Sequence, residues 1–178
     1  MTVGSPLKLI VLFAVPLMIG NTFLQFSTML ESSIVGRFAG VNGTAAIGAT
    51  AGMYNVILGF TQGLAAGLPI LIAHRYGAGD EDGVKKSICA NLTVCAGIAL
   101  LFTVLLLPAW RPILSAFHTP AEIARDAYVY MMLMSAGLLF TMLHYLIFNI
   151  VRSMGDSKTP LIFQVVTCVI EVGLSYLF

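Results

Sequence analysis

Apolar residues run through this chain in blocks too long for the helices of a soluble core, with short polar breaks between them. Charge is absent from residues 9–30, 38–74, 87–110 and 127–151, and 159–178 carries Glu171 alone. Each block reaches the ~20 residues an α-helix needs to cross ~30 Å of hydrocarbon at a rise of ~1.5 Å per residue. The pattern predicts an all-α polytopic membrane bundle of five helices, near 7–35, 44–73, 87–110, 127–151 and 159–178, with residues 1–178 forming one transmembrane domain. The second helix is longer than a bilayer requires and has no polar break to divide it. It is expected to tilt, to kink at Pro69 or to protrude.

Composition excludes a soluble globular domain. The chain is 58% hydrophobic and 10% charged, with mean hydropathy +0.95, where soluble domains carry about 25% charge. A formal net charge of +1 implies no nucleic-acid partner. With the N-terminus inside, Lys8, Arg75, Lys85, Lys86, Arg152 and Lys158 fall on the cytoplasmic side, and Arg37, Arg111 and Arg125 outside. That excess orients the N-terminus to the cytoplasm. Trp110, Tyr128 and Tyr130 flank the second outside loop, where interfacial aromatics belong. The first apolar stretch runs too long for a cleavable signal. The last residues, Leu174 to Phe178, remain apolar without an interfacial anchor, which reads as a chain cut in or just after its fifth helix.

Cys89, Cys95 and Cys168 lack metal or CxxC spacing and read as small packing residues. The sequon Asn91-Leu92-Thr93 falls inside a span. His144 and Asn149 read as packing residues, and His74 and His118 fall at or near loops. No HExxH, GxSxG or P-loop pattern occurs, so the reading is not an enzyme.

The chemistry lies in two acids. Of eight, Asp80, Glu81, Asp82, Glu122, Asp126 and Asp156 occupy polar breaks, whereas Glu31 and Glu171 stand inside apolar stretches. A carboxylate at mid-membrane costs roughly 2.5–3.5 kcal/mol on insertion scales. Such residues face wet cavities and bind a proton, an ion or a cationic substrate. Asn21, Gln25, Thr28 and Ser32 recur on one narrow face of the first helix, at about 100° per residue, with Glu31 at its edge. Gln164, Thr167, Glu171 and Ser175 do the same on the fifth. Both stripes are expected to line a cavity rather than face lipid. Asn55 and Gln62, seven apart on the second helix, are further candidate lining residues, against the alternative of interhelical hydrogen bonds. Gly59, Gly63 and Gly67 form a double GxxxG, expected to be a packing seam. Pro16 frees a backbone carbonyl and is either a static kink or a hinge near Glu31.

Four segments resemble the N-terminal lobe of a MATE (multidrug and toxic compound extrusion) transporter. Pro16 precedes Leu30-Glu31-Ser32-Ser33-Ile34-Val35-Gly36-Arg37, where that family shows a Pro and then Asp-Thr/Ser-x-x-Val-Gly. Gly59 to Gly83 is similar to its glycine-rich second helix ending in Ala-Gln-x-Tyr-Gly-Ala-Gly-Asp. Arg152-Ser153-Met154-Gly155-Asp156-Ser157-Lys158-Thr159-Pro160 is similar to its Arg-x-x-Gly-Asp-x-Lys-x-Pro loop, and an apolar helix follows. Three departures stand out: Glu31 replaces the family's Asp, the Asn-x-x-x-Asp of its fifth helix falls on Glu171 and Ser175, and His74 replaces Gln.

The resemblance implies twelve helices in two lobes, of which this chain would hold five. It also implies a multi-pass protein of the bacterial cytoplasmic membrane that exports organic, often cationic, compounds against proton or sodium influx. No cofactor and no structural metal is implied, with sodium at Glu31 and Glu171 as one option for the coupling ion. The expected partners are small organic substrates, the lipid bilayer, and a missing C-terminal lobe or second copy. A lipid-linked-precursor or polysaccharide flippase of the same superfamily and a non-transporting structural or assembly fragment are the alternatives.

Overall fold

In a computed structural model, residues 6–38, 40–117 and 119–177 are described, apart from the side chains of 6, 8, 9, 31, 32, 35, 38, 41, 42, 176 and 177. The described residues form seven helices: α1 (Pro6–Phe38), α2 (Gly40–Gly67), α3 (Ile70–Gly77), α4 (Glu81–Ala116), α5 (Ala121–Ala136), α6 (Leu138–Ser153) and α7 (Lys158–Leu177). Four stretches are long and apolar enough to cross a membrane: Ile10–Leu30, Gly43–Gly77, Glu81–Ala116 and Lys158–Ser175. The pair α5 and α6, bent by 46°, makes a fifth when taken as one span. The chain is a multi-pass membrane protein.

Two expected helices are thus each built from two pieces. The second breaks at Pro69, which has no N–H to donate to the carbonyl of Ala65; Leu68 N still reaches Leu64 O, and Ala73 N then starts a new ladder on Pro69 O. The fourth bends at Gly137, whose N–H closes α5 on Leu133 O while its carbonyl accepts from Thr141 N. No polar residue marks either break, so hydropathy alone does not divide them. α4 runs past both ends of its uncharged block: Asp80 caps its start, and Pro108 and Pro112 sit at exposed positions in its last turns.

Residues 1–38 with 151–178, and residues 39–150, are two compact units. In the first, α1 packs on α7. Gly20 lies under Leu161, Phe23 O faces Cys168 Sγ at 4.0 Å, and Ser27 meets Glu171. These contacts advance together along both helices, so α1 and α7 run parallel, as first and fifth spans must. In the second unit, Ala46, Leu114, Ile123 and Ala127 form a buried cluster, with Met53 and Tyr128 against it. Antiparallel α4 and α5 are pinned by Trp110 Nε1 donating to Ser135 Oγ at 2.7 Å and Thr103 Oγ1 to Ser135 O at 3.2 Å.

The two motif-bearing turns are capping devices. Gly79 (φ +75°) and Gly155 (φ +89°) adopt the left-handed conformation that suits glycine. The following Asp80 accepts from Gly83 N at 2.9 Å, and Arg75 Nη1 donates to Gly83 O at 2.9 Å. A side chain on the buried Gly83 would collide with the Asp80 carboxylate. Asp156 Oδ1 accepts from Lys158 N and Thr159 N, and its other oxygen accepts from the Thr159 hydroxyl. These bonds, the Thr159 hydroxyl first, hold the Asp156 carboxyl below its ordinary range. Gly-Asp therefore ends one helix and starts the next in both turns.

Candidate functional site

Glu171 is the half-buried carboxylate that α7 turns toward α1. Ser27 Oγ stands 3.4 Å from its Oε2, longer than a good hydroxyl–carboxylate bond. Ser27 is 2% exposed. Along α1, Gly20 and Ser27 share the face apposed to α7, and Glu31 follows Ser27 by one helical turn. Glu31 and Ser32 lie on α1, but their side chains are outside the described residues.

The first-helix stripe points elsewhere. Asn21, Gln25 and Thr28 are exposed, roughly 120° around α1 from Ser27 at about 100° per residue. Gln25 and Thr28, with Met29 and Ser33, line an open recess of about 530 Å³. Thr28 Oγ1 donates to Leu24 O at 3.0 Å, which satisfies a hydroxyl on its own helix. On α7, Thr167 does the same to Phe163 O at 2.9 Å, and Ser175 is half-buried. Pro16 lies inside a continuous α1 and leaves the carbonyl of Leu12 without its usual donor.

In the second unit Asn55 and Gln62 are exposed on α2. Gln62 Nε2 donates to Tyr145 OH at 3.0 Å, tying α2 to α6, and Asn149 Nδ2 donates to Tyr145 O at 2.8 Å. His144 meets Phe148 edge-on at 4.3 Å. The glycines at 59, 63 and 67 are exposed, and a Cβ on any of them would meet no atom within 4 Å. Their face is not a seam within the described residues. Asn91 is also structural. It is buried and donates to Leu68 O at 2.8 Å, at the α2–α3 break. Cys95 and Cys168 are buried and Cys89 exposed, all three free. No group of three metal-ligating residues occurs among the described residues.

Ser27 and Tyr145 were not singled out by sequence. Ser27 lies off the polar stripe, but its four-residue offset from Glu31 was a usable signal. Tyr145 carried none, since a tyrosine in an apolar helix is ordinary core.

A parallel helix pair carrying a half-buried carboxylate and a unit of long, broken apolar spans define a polytopic membrane protein. The chain belongs to the MatE family, whose profile matches residues 16–177. It is 28% identical over 163 residues to the probable multidrug resistance protein YoeA of Bacillus subtilis, covering 92% of this chain and 35% of that protein. To the probable multidrug resistance protein YpnP of the same organism it is 27% identical, covering 99% and 40%. The fold matches a MATE structure in the straight conformation at 26% identity and TM-score 0.87, covering 98% of this chain and 39% of that one. A MOP superfamily transporter from Pyrococcus furiosus matches at TM-score 0.90 and 24% identity, covering 98% and 38%. The chain thus spans 35–40% of the length of these relatives.

Proposed function

We propose that this chain supplies the first five spans of a secondary antiporter that exports small organic, often cationic, compounds across a bacterial cytoplasmic membrane. Inward movement of protons or sodium drives it, and the N-terminus is cytoplasmic. The observation that carries the reading is the Glu171 carboxylate turned toward α1 beside Ser27, within an apolar helix pair. The names of YoeA and YpnP as probable multidrug resistance proteins support the substrate class.

In this reading Glu31 and Glu171 are the coupling groups. Acids inside membrane spans serve to bind a proton or an ion. Protonation from outside removes charge, α1 bends at Pro16 where the Leu12 carbonyl lacks a donor, and the cavity shrinks and expels substrate. Proton release inside resets the site. Asn21, Gln25, Thr28 and Ser32 on α1 offer hydrogen bonds to the substrate, Thr167 and Ser175 on α7 to the Glu171 carboxylate or a bound sodium, and Asn55 and Gln62 extend the polar lining. Alternating access needs one lobe moving against another, so a C-terminal lobe or a second copy completes the transporter.

The test is dye efflux by the full-length protein in proteoliposomes. Collapse of the proton and sodium gradients stops efflux, and Glu171→Gln shifts its pH optimum. Efflux that survives loss of both gradients contradicts antiport.

A further inference from the structure

We propose that the recess at the α4–α5 turn is a binding site for a phosphate anion, of the kind a phospholipid headgroup presents. The recess lies wholly within the second unit. It encloses about 220 Å³ and is lined by Arg111, Leu114, Ser115, Thr119, Ala124 and Tyr128. That is below the roughly 300–1,000 Å³ of pockets for drug-sized ligands, so it suits a compact polar group.

Its chemistry is that of an anion site. The Arg111 guanidinium sits 5.2 Å from the Tyr128 ring centroid, where cation–π attraction holds it in place. It makes no ion pair among the described residues, and Glu122 and Asp126 on the same stretch of α5 do not line the recess. A planar guanidinium offers paired donors that match a phosphate. Ser115, Thr119 and Tyr128, whose side chains carry hydroxyl donors, also line the recess.

Depth in the membrane points the same way. The uncharged run 87–110 of α4 covers about 36 Å of helix, more than the ~30 Å of hydrocarbon. Arg111 therefore emerges where headgroup phosphates lie, just beyond the buried Trp110. Leu114 gives the recess an apolar wall, and the exposed Phe117 lies beyond it at the end of the helix. Both fit an anion carried on acyl chains.

Free phosphate shares this chemistry, so the test uses both. The protein, purified free of lipid in detergent, is titrated with dioleoyl phosphatidylglycerol or with inorganic phosphate, and binding is read by native mass spectrometry and thermal shift. Wild type is expected to bind phosphatidylglycerol. Arg111→Gln weakens that binding roughly tenfold or more, as loss of a charge-assisted contact implies. Tyr128→Leu weakens it less, and Arg125→Gln stays within about twofold. Equal, Arg111-dependent protection by inorganic phosphate assigns the site to anions from solution; protection by the lipid alone assigns it to headgroups. An Arg111→Gln protein with unchanged helix content that binds phosphatidylglycerol as wild type does overturns the proposal, as does a wild type that binds neither probe.

Discussion

Replacing Asn91 by Leu tests how the second span survives its own break. Pro69 forces the helix ladder to stop and restart, and the carbonyl of the half-buried Leu68 is left at the break. Asn91, 8% exposed, donates to that carbonyl at 2.8 Å from α4. Two scales bear on its worth. Interhelical side-chain hydrogen bonds in membranes average about 0.6 kcal/mol and reach about 1.7, since the unfolded chain in the bilayer also finds partners. A buried group left unsatisfied costs about 1–3 kcal/mol. Leu68 O is fixed at a break where no ladder N–H replaces the lost donor, so the upper part of the membrane range applies. Asn91→Leu should destabilise by about 1–2 kcal/mol. Asn91→Asp should cost more, because an ionised carboxylate only accepts and would face a carbonyl. Unfolding in mixed micelles titrated with SDS gives the energies, and hydrogen exchange around residues 70–73 shows whether the break is what opens. Wild-type stability in Asn91→Leu, or an Asn91→Asp no weaker than Asn91→Leu, would refute this reasoning.

Ser135→Ala should cost about 1–3 kcal/mol by stranding the buried Trp110 N–H; in a double-mutant cycle with Trp110→Phe the two losses should be less than additive. The Asp156 cap should be acid-labile. Its carboxyl is held below the ordinary range, so its contribution is present above the unfolded value of about 3.9 and is lost as pH falls through the folded value. The melting-point gap between wild type and Asp156→Ala should therefore be constant from pH 7 to 5 and narrow as the pH drops below about 4; a gap that widens on acidification contradicts the cap. Cysteine placed at Phe117 should react with an impermeant maleimide from outside, and cysteine at Glu81 only from inside. The reverse pattern overturns the proposed orientation.

Span number was legible because bilayer thickness imposes a block length, and the charge-free runs meet it. The breaks at Leu68-Pro69 and at Gly137 were less so. Proline marked the first as a kink, but whether a ladder restarts depends on a neighbour such as Asn91, which sequence does not place. Glycine at 137 looked like any small residue in an apolar run. The roles of Gly79-Asp80 and Gly155-Asp156 became clear only with backbone angles and cap bonds in view. At the site, periodicity found the acid on α7 but grouped the α1 polar residues by their own stripe. Packing is set by the partner helix, and α7 meets Gly20 and Ser27 instead. Ser27 is a single small residue, too weak a signal against the four-residue stripe beside it.

Acids inside the first and fifth spans are proposed to couple export to an ion gradient. The most direct test is substrate-dependent proton or sodium flux through the full-length transporter carrying Glu31→Gln, reconstituted with a defined gradient. Normal expression and insertion are expected, with gradient-driven efflux abolished. A Glu31→Gln protein that exports at the wild-type rate with unchanged pH dependence would contradict that coupling.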